Sequence, residues 1–136
     1  FVASEHIQSA NVGWTGDNFR RFFLNKVEDN VGDATLAISR LKENSLDGSI
    51  IAELGSRAKI KLAYFFSLLE RQSKGEAGKL LVNGCANVAY IEDDNGTVWA
   101  VRASWHSVYG YWLVEAYSVE DPRRWSADRQ FLSCDS

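Results

Sequence analysis

Sulfur, imidazole and proline are all scarce in this chain: two cysteines, two histidines, one proline and no methionine among 136 residues. Cys85 and Cys134 permit one disulfide and demand none, and a chain of this size can bury an adequate core without a bridge, so reduced thiols are expected. The same four residues, widely separated and with no paired spacing, cannot supply the ligand sets of structural zinc sites; no metal and no other cofactor is expected. Cys85 lies between Gly84 and Ala86 with no basic partner beside it, the setting of an inert buried thiol.

Long apolar runs are missing too. The most hydrophobic stretch, Ala63 to Leu69, is hemmed in by Lys59, Lys61, Glu70 and Arg71, far short of the ~18 residues a membrane span needs. A cytoplasmic protein with no membrane partner is the expectation, with a secreted or processed form as the open alternative, since Phe1 fits either a trimmed or a processed terminus. Net charge is −3, with no basic tract, which argues against extended contact with nucleic acid. Charge is unevenly spread: residues 1–79 carry eleven Lys/Arg and ten Asp/Glu, residues 80–136 four and eight, and Glu92, Asp93 and Asp94 form one acidic patch.

Two fragments resemble ligand loops and lack what those loops require. Gly75-Glu76-Ala77-Gly78-Lys79 is followed by Leu80 instead of the Ser or Thr of a phosphate-cradling loop, and reads as a linker. Asp93-Asp94-Asn95-Gly96 has no carboxylate at the twelfth position of a calcium loop, and reads as a hairpin turn, with Asn95-Gly96 suited to type I′.

What is present is a change of texture near Gly78: helix-period sequence gives way to an aromatic-rich block holding four of the five tryptophans. Before it, three helices are expected. Thr15 can cap the first, with Trp14 and Phe19 at hydrophobic-staple spacing and a run to about Glu28. Val31, Ala34, Ile38 and Leu41 recur at helical steps for a second, from Asn30 to about Glu43. Asp47 can cap the third and longest, with a stripe from Ile50 through Leu54, Ala58, Leu62 and Phe65 to Leu69, and Gly55 as a local cost.

After Gly78 the period shortens to two. One strand is expected from Leu80 to about Tyr90, a second over Thr97–His106 with Trp99, Val101, Ala103 and Trp105 on one side, and a third over Tyr111–Val119. Asp121-Pro122 suits the start of a single helical turn that points Trp125 back at the fold, and Phe131-Leu132 can add a short fourth strand. The fold class expected is α+β in one domain over 1–136: three N-terminal helices, within about residues 15–72, packed on a C-terminal antiparallel meander of three to four strands, within about residues 80–134.

For function, the candidate binding residues are Arg102, His106, Tyr109, Tyr111 and Trp112 around the last hairpin, with Arg123 and Arg124. Tyrosine and tryptophan give rigid contact area at low entropic cost, although cross-strand aromatic pairing accounts for the same residues structurally. The resulting expectation is a noncatalytic interaction module, acting as inhibitor, adaptor or chaperone, whose partner is another protein or a second copy of itself. One alternative is a small enzyme or ligand-binding domain with a pocket between the long helix and the sheet, using His106 with Glu115 or Arg102. The other is a nucleic-acid binder through Arg20, Arg21, Arg57, Lys59 and Lys61. No residue is assigned a catalytic role.

Overall fold

The computed structural model describes residues 1–135, and one twisted sheet of six strands runs through it. In chain order the elements are β1 (Val12–Thr15), α1 (Asp17–Phe22), β2 (Leu36–Arg40), α2 (Asp47–Leu54), α3 (Leu62–Arg71), β3 (Asn87–Glu92), β4 (Val98–His106), β5 (Tyr111–Ser118) and β6 (Gln130–Cys134). The spatial order is β1-β5-β4-β3-β6-β2. The meander β3-β4-β5 forms the centre as the alternation predicts, and its flanks are parallel: β1 beside β5, and β6 beside β3. Antiparallel β2 closes the far edge.

This corrects the expected class: the sheet is larger and mixed, and the helices are three short segments, not a continuous helical layer. Each difference has a local cause. Thr15 is the last residue of a strand, not a cap, and Gly16 occupies the N-cap of α1. That helix stops at Phe22 because the chain must turn back for Val27 to bridge Val2. The expected second helix begins at a residue that cannot continue one: Asn30 has φ +53°. Beyond it, Leu36–Arg40 pairs residue for residue with β6. The third helix is divided at Gly55, whose positive φ ends α2; after a short 3-10 turn, Lys59 bridges Tyr90 before α3 begins.

Downstream, residues 80–86 are irregular instead of a strand. Buried Gln72 substitutes for a neighbouring strand there: its Nε2 donates to the Leu80 carbonyl at 3.0 Å and its Oε1 accepts from the Leu80 N–H at 2.9 Å. Asn87, also fully buried, holds Leu81 by the same two-sided pairing. The hairpin at Asp93–Thr97 is not type I′, because φ is positive at Gly96 alone. The Gly96 N–H donates to the Asp93 carbonyl and the Asp93 N–H to the Thr97 carbonyl, which is a type I turn with a glycine bulge. Arg123–Ala127 forms no helix, but Trp125 does turn inward, bridging Ser45.

Strand alternation sorts the core onto the two faces of the sheet. On one, α1 and α3 lay Phe19, Phe23, Phe65, Phe66 and Leu69 against Val101, Ala103, Trp112, Val114 and Leu132. Phe19 stacks on Phe23 and Phe66 with centroids 5.8 and 6.0 Å apart. On the other face, α2 and the connection after β5 bring Ile50 and Trp125 onto Val88, Tyr90, Ala100 and Phe131. That second cover extends over β3, β6 and the adjoining ends of β4 and β5, at Ala100 and Tyr117, and leaves Arg102 to His106, Tyr111 to Glu115 and β1 without a helix over them on this side.

None of the helices carries a side-chain cap of its own. Distant carboxylates do this work at α1 and α3. Buried Glu28 accepts from the N–H groups of Leu62 and Ala63 at 2.9 and 2.8 Å while holding Lys26 Nζ at 3.0 Å. Glu115, on β5, accepts from Phe19 N–H at 3.0 Å. Both place negative charge where helical N–H groups have no partner within the helix.

Candidate binding surface

The uncovered area is built from alternate residues of three strands. On β4 these are Arg102, Ser104 and His106; on β5, Tyr111, Leu113, Glu115 and Tyr117; on β1, Trp14; Ser104 itself is buried among them and Tyr117 marks the border, edge-on to Trp125. The antiparallel register sets Arg102 opposite Glu115, Ser104 opposite Leu113 and His106 opposite Tyr111. Trp14 is 49% exposed, and a shallow dent of about 130 Å³ lies between it and Arg102, Leu113, Glu115 and Tyr117.

At the hairpin end three rings form a triangular cluster, in which Tyr109 lies against both His106 and Tyr111, themselves 6.1 Å apart. His106 and Tyr109 lie 4.5 Å apart at 20°, and Tyr109 and Tyr111 5.8 Å apart at 19°. The cluster is anchored on both sides. Nδ1 of His106 accepts from the Tyr109 N–H at 3.2 Å, which puts the neutral ring's proton on Nε2. Tyr111 lies directly on Gly13, where an added Cβ would stand 2.1 Å from the ring. Gly13 sits at the irregularity between Val12 and Trp14 in the β1–β5 pairing, so the missing side chain is what lets Tyr111 reach over the edge strand. Tyr109 remains 68% exposed and Val108 83%.

Of the residues expected to bind, Arg102, His106, Tyr109 and Tyr111 share this face, and Arg123 joins them by stacking its guanidinium 4.8 Å above the Tyr117 ring. Arg124 is exposed on the following connection with no such contact. Trp112 is a correction: it belongs to the opposite face, fully buried, packed edge-on to Trp105 at 5.3 Å, with its Nε1 donating to the Gln72 carbonyl at 3.1 Å. Trp14, in contrast, is a surface residue that the helix-staple reading hid. The signal for it was Val12-Gly-Trp14-Thr15, which is as compatible with a short strand as with a helix entry.

The groups proposed for acid–base work do not converge. Glu115 is turned to α1, accepting from Phe19 N–H and from its own neighbour Ala116 N–H. Arg102 is four residues from His106 along β4, roughly 13 Å at ordinary strand rise. The space between α3 and the sheet is filled by Phe65, Phe66, Leu69 and Trp112, on the side away from His106. Of the helical cations, Arg20 is paired with Asp17 and Lys59 with Glu92. Among the described residues no cluster of His, Cys, Asp and Glu could hold a metal ion, the two thiols are unbridged, and no helix is long and apolar enough to cross a membrane.

A second polar constellation lies beneath α2. Oδ1 of Asp47, a residue 2% exposed, accepts from both Tyr90 Oη and Trp125 Nε1, each at 2.7 Å. Burial pushes the Asp47 carboxyl above its ordinary range, more than the two donors pull it down, with Asp121 adding repulsion; burial and Asp47 together push the Tyr90 hydroxyl up. Tyr90, fully buried, and Trp125 are closed off from any reactant, so the arrangement joins α2 and the 119–129 connection to β3. No protein-family model, curated protein or solved structure matches this chain.

Proposed function

We propose that this protein is a noncatalytic interaction module that binds another protein through the open end of its sheet, with Trp14, Tyr109 and Tyr111 as anchors. The observation that carries this reading is the contrast between the faces. Helices cover one side, yet on the other a half-exposed tryptophan, a packed His–Tyr–Tyr cluster and exposed Val108 have no helix over them. Rings already fixed in place lose little entropy when a partner covers them, and such residues dominate interface energies. Arg102, Glu115 and Arg123 around the apolar patch supply the polar rim that gives orientation. A flat, shallow surface of this kind suits a protein better than a small molecule, which needs a deep concave site.

The test is capture with tagged wild type and with a Trp14→Ala/Tyr109→Ala variant, alongside Arg71→Ala, exposed on α3, as a control beyond the patch. A stoichiometric protein partner retained by wild type and the control, and lost by the double variant at unchanged melting temperature, is the expected result. Equal capture by all three would refute the assignment, and a wild-type dimer dissolved by the double variant would identify the partner as a second copy.

A further inference from the structure

The far edge of the sheet is regular and unpaired. β2 is antiparallel to β6 with five uninterrupted pairs, and the flanking bonds, Asp135 N–H to the Thr35 carbonyl and Leu41 N–H to the Arg129 carbonyl, show that the odd-numbered residues face β6. Leu36, Ile38 and Arg40 therefore direct their N–H and C=O groups outward, and among the described residues none of these groups has a partner. Nothing blunts this edge: it has no proline, no bulge and no charge before Arg40, and Ile38 is 39% exposed. The other edge, β1, is irregular at Gly13.

Alternation divides the side chains of β2 between the two faces. Leu36 and Cys134, opposite one another, pack on the α3 side, so Ile38 and Arg40 lie on that side as well; Ala37 and Ser39 lie on the α2 side, with Phe131 opposite Ser39. An antiparallel neighbour can bond only where outward residue meets outward residue, and a second copy of β2 meets this condition in few registers. A two-fold axis at Ile38 sets Ile38 against its own copy and Leu36 against Arg40, so every outward residue of the strand both donates and accepts. An axis at Ser39 brings the two Arg40 side chains onto the diagonal, where like charges repel, and an axis at Ala37 pushes Arg40 past the end of the strand, opposite Ala34. With the axis at Ile38 the two arginines stand roughly 13 Å apart along the strands. Exposed Ile38 then meets Ile38, the stem of Arg40 lies on Leu36, and small Ala37 and Ser39 fill the close-set pairs between them. Asp33 and Glu43, which the same axis opposes, lie outside β2, so the pairing ends with the strand.

We infer that this chain forms a two-fold dimer in which β2 pairs antiparallel with β2 of a second copy about an axis at Ile38, joining two six-stranded sheets into one. The assembly closes at two copies, because each β2 has one free side and the edges that remain are the irregular β1 strands. Five residues a side is a short contact, which places the dimer in the weak, exchanging class. It leaves β1, β4 and β5 untouched and does not rest on the function proposed for them; it carries two copies of the aromatic surface, one on each subunit.

Sedimentation equilibrium from about 10 μM to 1 mM should show monomer and dimer in exchange, the span expected of a weak interface. Amide exchange should slow with rising concentration at Leu36, Ile38 and Arg40, while Ala37 and Ser39, already bonded to β6, stay unchanged. Ile38→Pro costs no bond to β6, because that N–H points outward, and should raise the dissociation constant at least tenfold. Ile38→Lys, which sets lysine against lysine between the two arginines, should do the same; fluorescein-labelled Ile38→Lys should then be drawn back into dimers by unlabelled Ile38→Glu. Should Ile38→Pro fail to fold, this charge exchange at an exposed position decides. The inference is overturned by a monomer throughout that range, by a folded Ile38→Pro that dimerises like wild type, by labelled Ile38→Lys that ignores Ile38→Glu, or by concentration-dependent protection at β1 and β5 in place of β2. A dimer dissolved by Trp14→Ala/Tyr109→Ala and indifferent to position 38 would also overturn it, and would assign self-association to the aromatic face.

Discussion

Replacing Asp47 tests the energetics of the fold most directly, because two substitutions separate its charge from its hydrogen bonds. Asp47→Ala strips the acceptor from Tyr90 Oη and Trp125 Nε1, both buried at 2.7 Å. Leaving a buried donor unpaired costs about 1–3 kcal/mol, so two cost roughly 2–6. Removing a carboxylate that burial disfavours returns part of this, and a net loss of about 3 kcal/mol is expected. For a chain of this length that lowers the melting temperature by about 10 °C. Asp47→Asn keeps an oxygen where both donors converge and removes the charge, and is expected within about 1 kcal/mol of wild type at pH 7.

The two variants also differ in their pH dependence. The Asp47 carboxyl is raised in the folded protein, so the folded state binds its proton more tightly than the unfolded chain does. Its contribution to stability is therefore fully present below the ordinary aspartate value near 3.8 and is lost as pH rises through the higher folded value. The amide of the Asp47→Asn variant has no proton to bind, so the stability of wild type minus that of Asp47→Asn should fall with rising pH over this window and flatten above it. Urea titrations read by tryptophan fluorescence at pH values from 3.5 to 8 measure both quantities. Asp47→Ala within 0.5 kcal/mol of wild type, or Asp47→Asn as damaging as Asp47→Ala, would refute the account.

Glu28→Ala should cost about 3 kcal/mol by denaturant titration, since it uncaps Leu62 and Ala63 and leaves Lys26, whose side chain is 11% exposed, without its partner. Asp93 shows the opposite pH sign to Asp47: burial opposes ionisation, but the Trp99 indole and the N–H groups of Thr97 and Asn95, helped by Lys26, win and hold its carboxyl below the ordinary range. Its stabilisation is present above pH ~4 and lost as pH falls through the depressed folded value, a slope that Asp93→Asn should remove. Gly75→Ala combines positive φ (+72°) with a Cβ 2.3 Å from the Trp105 ring, and should lower stability by at least ~2 kcal/mol; no loss on thermal melting would show that Trp105 is free to move.

The meander was legible because its information is local. Alternation in β4 fixes Trp99, Val101, Ala103 and Trp105 on one face whatever else the chain does, and turn residues at 93–97 and 107–110 fix the reversals. The flanking strands carry no such signature. β2 reads as Leu-Ala-Ile-Ser-Arg, with spacing that serves a helix equally well, and becomes a strand because β6 offers it five backbone pairs. β1 is four residues long and is defined by β5, about a hundred positions away. In the same way α1 and α3 have no cap of their own in sequence; Glu115 and Glu28 arrive from elsewhere, whereas the caps expected at Thr15 and Asp47 are a strand end and the first residue of α2, whose carboxylate turns to Tyr90 and Trp125.

The same distinction governs the candidate surface. Arg102 and His106 could be assigned to the outward face from β4 alone, and Tyr111 follows once β5 is paired antiparallel. Trp112 is adjacent to Tyr111 and therefore must point the other way, a conclusion the alternation of β5 already contained. Trp14 enters the surface only through the parallel pairing of β1 with β5, and Tyr111 reaches over that edge only because residue 13 has no side chain. Gly13→Ala consequently links fold and function. A methyl group there must displace Tyr111, disturbing the ring cluster on which Tyr109 lies, while Gly13 itself is exposed on an edge strand and has an ordinary φ, so the loss of stability should stay near ~1 kcal/mol. The expected outcome is partner binding weakened at least tenfold with a melting temperature within a few degrees of wild type. Unchanged binding would mean that the cluster plays no part in recognition, leaving Trp14 and its polar neighbours as the contact.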